Sequence, residues 1–266
     1  MDFIKAVLRL SYEGDQAVKA GQKALEQIQK LVVKTIAKYE GVPHALTLDE
    51  MAPIQAICDQ LGPANCRLLI AYTNGQSGLH ALCSVKKTVR LKVPDSRLEL
   101  PKHVHYKHIY EDQTFSIGIF ILPPGVAIPL HDHPRMSVIS RVLYGSVYVK
   151  AYDLIKHHGS LRRKNSMARL RNEKHVIAPH TMVLLPDCGN LHELIGGDDI
   201  GCAFLDIITP PYSHNDGREC AYFRVVDSAD ADEKHFVLES YEPMNFYVIP
   251  VDYDGPQISR CPLEEL

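Results

Sequence analysis

The spacing of hydrophobic positions changes along this chain. Ala24, Leu25, Ile28, Leu31, Val32, Thr35 and Ile36 recur at helical intervals, with lysines and glutamines between them. That spacing gathers apolar side chains on one face of an α-helix. Thr47 followed by Glu50 opens a second run through Met51, Ile54, Ile57 and Leu61. A threonine with a glutamate three residues on can satisfy free amides at a helix start, and Gly62-Pro63 ends the run. Residues 1 to about 62 therefore read as helical, either a layer docked on the rest of the chain or a surface for a partner. Asn74-Gly75-Gln76-Ser77-Gly78 predicts a loop or linker over 72–84. From about 87 onward, runs rich in Val, Ile, Tyr, Phe and Leu recur at 88–93, 104–110, 115–122, 137–143, 146–151, 175–178, 181–185, 200–208, 220–226 and 245–250, separated by Pro, Gly and Asp. Many short strands at close spacing predict a sandwich or barrel. The chain is expected to be mainly β, with an N-terminal helical region over 1–85 and a β domain over 86–266.

Composition narrows the function. The 266 residues carry a net charge of −3, which argues for neither nucleic acid nor an anionic membrane as partner. No apolar run reaches the length needed to span a bilayer, and the N-terminus has no signal-peptide pattern. The seven cysteines are odd in number and lack a CxxC pair, so reduced thiols in the cytosol or nucleus are expected, not a disulfide framework or zinc ribbon. The expected state is a monomer. One segment stands apart: 156–175 holds Lys156, His157, His158, Arg162, Arg163, Lys164, Arg169, Arg171, Lys174 and His175 against Glu173. It reads as a long exposed hairpin connection, either solvated or guiding a polyanion. Asp227-Ser-Ala-Asp-Ala-Asp-Glu233 reads as an acidic loop that could face it.

The candidate chemistry lies in Gly125-Val-Ala-Ile-Pro-Leu-His131-Asp-His133, closing at Gly145. Histidines two apart on a strand project from one face, where a single metal ion can take both. A third candidate ligand, His192, follows in Pro186-Asp-Cys-Gly189-Asn190-Leu-His192. Imidazole suits iron, copper, nickel and zinc alike. Three neutral ligands leave a divalent ion its full charge, which favours an anionic ligand such as a thiolate. A three-histidine iron(II) site is therefore suited to bind a thiolate together with dioxygen.

Glycine, five residues, His-x-His and a later glycine resemble the first motif of the cupin superfamily, and Pro186, Gly189 and His192 resemble the second. That resemblance implies a small jelly-roll barrel. The glutamate usual in cupins is absent, its places being Ser137 and Val138. The residues His131-Asp-His133-Pro-x-Met136, Val142-Leu-Tyr-Gly145-Ser146, Gly189-Asn190-Leu-His192, Leu205-Asp206-Ile-Ile-Thr-Pro210-Pro211-Tyr212 and Asp216-Gly217-Arg218-x-Cys220-x-Tyr222 resemble the cysteamine dioxygenase and plant cysteine oxidase family of thiol dioxygenases, closer to its animal branch. The resemblance implies an Fe(2+) enzyme adding both atoms of O2 to a thiol sulfur. Its substrates would be cysteamine or the N-terminal cysteine of peptides and proteins, which marks a protein for degradation and senses oxygen. Asp206, in an apolar strand, would contact the substrate ammonium or a metal-bound water, or is a structural aspartate. Tyr212 would donate near bound oxygen or substrate, or packs at the rim. Cys220 and Tyr222, two apart on an expected strand, match the position of a cysteine–tyrosine thioether, or are core residues. Arg135 replaces the family's glycine; a cation there would repel an amine, attract a peptide carboxylate, or point to solvent. Another metal-dependent cupin enzyme, or an inactive cupin binding module, is the competing reading.

Overall fold

The computed structural model describes residues 2–68, 70–73, 79–83, 87–91, 103–155, 165–230 and 234–260, with side chains described over 14–68, 103–155, 165–227 and 234–260. Helix α1 (Asp2–Ala37) precedes α2 (Leu48–Cys58). Strands β1 (Ile70–Thr73), β2 (Leu79–Cys83) and β3 (Lys87–Leu91) pair antiparallel into a small sheet. Two of them occupy 72–84, where a loop was expected; the Asn-Gly-Gln-Ser-Gly run that prompted the expectation lies between β1 and β2, outside the described residues.

The larger sheet is built from β4 (Val104–Glu111), β5 (Ser116–Leu122), β6 (Ala127–His131), β7 (Ser137–Leu154), β8 (Asn165–Ile177), β9 (His180–Leu184), β10 (Leu191–Gly196), β11 (Cys202–Thr209), β12 (Tyr222–Asp230), β13 (His235–Tyr241) and β14 (Val248–Pro250). Strand β7 organises it. Its first half lies between β9 and β11, and its second half lies between β8 and β10. The runs 137–143 and 146–151, expected as separate strands, are one strand that passes from one layer to the other. Gly145 sits at that handover with φ 68°, and a Cβ there would stand 1.9 Å from the Gly201 carbonyl oxygen. Only glycine fits both demands.

Pairing runs β7–β10–β6–β12–β13–β8 and back to β7, while β11, β5 and β4 extend the other layer. This is the jelly-roll that the cupin resemblance implied, with the sheet edges largely paired. Alternation along β11 divides its side chains between two cores. Ala203, Leu205 and Ile207 join Leu25, Ile28, Val32, Ile36, Met51 and Ile54 of the helices, so the helices pack on the outer face of this layer. Cys202 and Phe204 join Val104, Leu122, Val142, Val149 and Leu194 between the layers. A strand buried on both faces reads as a continuous apolar run, as all eight residues of β11 do except Asp206 and Thr209.

The capping box at the start of α2 is present: Glu50 N donates to Thr47 Oγ1, and Thr47 N donates to Glu50 Oε2 at 2.9 Å. Buried Arg141 of β7 fastens α2 to the barrel, donating to the Asp59 and Leu61 carbonyls at 2.7 and 3.1 Å. The basic stretch 156–175 is not a single long connection. Arg169, Arg171, Lys174 and His175 lie on β8, and Asp153 accepts Arg171 at 3.0 Å; Lys156 to Lys164 lie outside the described residues. Likewise, Asp227 to Asp230 belong to β12 instead of an acidic loop, and 231–233 are outside the described residues.

Candidate metal centre

Two strands, and the turn that follows one of them, bring the histidines together, and a bulge aims one of them. His192 of β10 pairs with His131 of β6, but Leu194 pairs with Ile128. Two residues on β10 thus oppose three on β6. Strict alternation would put His131 and Ile128 on opposite faces; the extra residue puts them on one. Strand β6 ends at His131, so His133 lies beyond it and not on the same strand as expected. A turn returns His133 to the cluster, and Asn190 fixes it there. The Asn190 Oδ1 accepts His133 N at 3.0 Å, and Asn190 Nδ2 donates to His133 O at 2.8 Å. Asn190 was part of a recognised motif, but its role as a backbone brace on a residue 57 positions away was visible only in three dimensions.

The Nε2 atoms of His133 and His131 each lie 3.2 Å from that of His192. Two nitrogens bound at right angles to one ion at about 2.1 Å stand about 3.0 Å apart, so the spacing suits a shared ion. The outer nitrogens point the same way. His131 Nδ1 donates to the Pro129 carbonyl at 2.8 Å, leaving its Nε2 a lone pair. Tyr212 Oη lies 2.8 Å from His133 Nδ1 and donates to the Asp132 carbonyl at 2.9 Å. A hydroxyl has one proton; spent on Asp132, it leaves the oxygen to accept His133 Nδ1–H. The Nε2 of His133 then also carries a lone pair. Lone pairs of at least two rings converge on one point, an arrangement that a cation satisfies.

Burial keeps the rings neutral. His131 is pushed down to about 4 by loss of solvent, and His133 and His192 fall well below the usual histidine range for the same reason, helped by their neighbouring rings. The triad is the group of ligand-type side chains within 4.8 Å of one another among the described residues, and no carboxylate joins it. Asp132, between the two histidines in sequence, turns its Oδ1 to the Ala221 amide at 2.8 Å.

The other sequence candidates fall at two places. Asp206, in phase on β11 with Cys202 and Phe204, points between the layers. Burial raises it to about 7, a hydrogen bond from Ser140 opposes the rise, and its Oδ1 has no partner. Opposite it in register lies Gly118, where a Cβ would stand 2.4 Å from Tyr106 Oη. The missing side chain makes room for that phenol beside the acid, and burial raises Tyr106, with Glu111 and then Asp206 adding to the rise. Tyr106 was not picked out from the sequence, because a tyrosine in a strand run reads as packing.

Cys220 precedes β12, and Tyr222 is its first residue, so the two do not share a strand as expected. They are nonetheless in contact. Cys220 is raised to about 11 by burial, opposed by the neighbouring Tyr212 and Tyr222 hydroxyls. The Tyr222 ring lies 6.3 Å from that of His131, and residue Tyr222 pairs with His131 in the sheet. Tyr212, Cys220 and Tyr222 thus form a chain of contacts along one flank of the triad.

Comparison with known proteins adds the lineage. The chain is 33% identical over 179 residues to "Plant cysteine oxidase 1" of Arabidopsis thaliana, covering 66% of this chain and 55% of that protein. It is 33% identical over 183 residues to "2-aminoethanethiol dioxygenase" of Mus musculus, covering 58% of this chain and 71% of that protein. It is 36% identical to "Plant cysteine oxidase 2" of Arabidopsis thaliana over 172 residues, covering 59% and 62%. These identities, 33% and 36% to the plant proteins and 33% to the mouse protein, do not place it nearer the animal branch, as the resemblance had pointed. The matched region is about half to seven-tenths of those relatives' lengths. With the PCO_ADO family model matching residues 70–258, across both histidine motifs, the chain belongs to the PCO_ADO family.

Proposed function

We propose that this protein is an iron(II)-dependent thiol dioxygenase that converts cysteamine, or the N-terminal cysteine of a peptide, to the sulfinic acid: R–SH + O2 gives R–SO2H. The observation that carries this reading is the convergence of three buried, neutral imidazoles with no acid among them. A ferrous ion held by His131, His133 and His192 would supply dioxygen activation and a dipositive charge for a thiolate. The relatives named cysteine oxidase and 2-aminoethanethiol dioxygenase support the same chemistry.

The chain's own residues have distinct tasks in this reading. Tyr212 holds the Nδ1 proton of His133 and so keeps Nε2 available. Asp206, with a free oxygen between the layers, offers an acceptor for the substrate ammonium; a cation beside it would draw its proton off near neutral pH. Apolar side chains of β7 and β11 lie on both sides: Val142 and Phe204 share the inter-layer core into which Asp206 points, and Val138 and Ile208 pack with Tyr212. Cys220 and Tyr222, in contact, are read here as the candidates for a thioether, whose formation would remove one hydrogen from each and reduce one O2 to H2O2. Intact-mass measurement reads that loss directly. Because the reaction consumes O2, its rate would follow oxygen supply. No helix among the described residues is long and apolar enough to cross a membrane, and Cys58, Cys66, Cys188, Cys202 and Cys220 are free, which supports action in the cytosol or nucleus.

The test is to load the protein with iron(II) without oxygen, add a cysteine-initiated peptide or cysteamine, admit air and weigh the product. A gain of two oxygens on sulfur supports the reading. A full complement of bound iron with no oxygen uptake on either thiol would overturn it.

A further inference from the structure

Tyr212 lies three residues beyond the end of β11, outside the ladders of the sheet. Its ring packs with Met136, Val138 and Ile208. Such packing is non-directional and buries the ring without choosing where its hydroxyl lies. The hydroxyl nonetheless meets two partners at once, the Asp132 carbonyl and His133 Nδ1. One residue holds the main chain around it. Arg218 Nε donates to the Pro211 carbonyl at 3.0 Å, on one side of the tyrosine. On the other side, Ser213 and Arg218 exchange backbone hydrogen bonds at 3.0 and 2.9 Å.

The Arg218 side chain is 13% exposed and is itself held. Its Nη2 donates to Asp216 Oδ2 at 2.9 Å, and the same oxygen accepts Ser213 Oγ at 2.8 Å. The planar guanidinium serves a carbonyl and a carboxylate from two nitrogens in one fixed plane, which the single ammonium of a lysine does not reproduce. Arg135 adds a tie from the segment carrying His131 and His133. Its Nη2 donates to the Asp216 carbonyl and lies 3.4 Å from the Gly217 carbonyl oxygen. A charge near the mouth, one reading of the sequence, is instead spent on main-chain carbonyls.

We propose that Arg218, steadied by Asp216, is a positioning residue for the metal centre. It fixes the main chain on both sides of Tyr212, so that the phenol oxygen accepts His133 Nδ1–H and the Nε2 lone pair stays aimed at the shared ion. Asn190 places the His133 backbone, and Arg218 places the tyrosine that holds its ring. This rests on the metal-site part of the reading above and not on the identity of the substrate. The experiment is a double-mutant cycle on the full chain under nitrogen, with iron(II) affinity read by competition with a chelator of known strength. Arg218→Gln and Tyr212→Phe are each expected to raise the iron(II) Kd about tenfold or more. Arg218→Gln made on top of Tyr212→Phe should add less than about twofold, because its path runs through the missing hydroxyl. In the metal-free protein, imidazole nitrogen NMR should find His133 protonated on Nδ1, and both single variants should move that signal toward the Nε2–H form. Equal losses from Arg218→Gln in the two backgrounds, an unchanged Kd, or an unmoved His133 signal would each overturn the proposal. If Arg218→Gln does not fold, Asp216→Asn, at an exposed carboxylate, carries the same cycle. It should raise the Kd about threefold, and a rise that persists beside Tyr212→Phe would overturn the proposal. Oxygen uptake separates the two readings. A coupled cycle in an iron-loaded protein that oxidises neither thiol removes the dioxygenase reading and leaves Arg218 its role, whereas oxygen uptake without coupling removes the role of Arg218 alone.

Discussion

Asn190 grips His133 by both ends of its backbone, through the amide and the carbonyl. Neither bond touches the imidazole, yet together they set where the ring stands. Asn190→Ala removes both and is expected to weaken metal binding by about 10–100-fold, as loss of a ligand's supporting hydrogen bonds does; competition with a chelator of known affinity measures it. Asp206 makes a different prediction. Its carboxyl is raised from 3.8 to about 7 by burial. Between those values the folded chain keeps a proton that the unfolded chain has lost, so stability falls as pH rises through the window, by roughly 4 kcal/mol in all. Below about pH 4 this contribution vanishes, since both states are protonated. Asp206→Asn, which mimics the protonated acid, should flatten that decline in urea unfolding of the metal-free protein between pH 4 and 8. An unchanged slope would assign the decline to other groups.

At the scale of elements, the N-terminus of α2 is set by local chemistry. Thr47 and Glu50 satisfy each other's backbone amides, and Tyr39 adds a hydrogen bond to Glu50 at 2.8 Å. Thr47→Ala should lower stability by about 1 kcal/mol, read as a shift in denaturant midpoint at unchanged slope. The capping pair was legible in the sequence because a box is a relation between residues three apart. The bulge in β6 was not, because its register depends on β10, some sixty residues later in the chain. The same limit explains why β10 and β13 went unseen as strands: His192-Glu-Leu-Ile and His235-Phe-Val-Leu-Glu are short and partly polar, β10 is held by β6 and β7 from far back in the chain, and β13 has distant β8 on one side.

The whole molecule joins a helical layer to a barrel through a shared core. Ile28 of α1 is fully buried in a cluster that also takes in Ile117, Ile119, Leu205 and Ile207 of the barrel layer. Ile28→Ala should cost about 2–5 kcal/mol and lower the melting temperature. Because this core lies on the face of β11 opposite Asp206, the variant should keep its metal stoichiometry below the melting transition. Loss of metal in the folded variant would show that the helices support the site directly.

Local pattern was enough for the helices, for most strands of the barrel and for the identity of the three imidazoles, because periodicity, capping and motif spacing are written in neighbouring residues. Folding alone decided that His131 turns inward through a bulge, that His133 is braced by Asn190, that Asp206 keeps an oxygen unpaired between the layers, and that Arg135 reaches the Ser213–Arg218 turn. Each of these depends on groups brought together from distant positions, and a contact between strands leaves no periodic trace in either one.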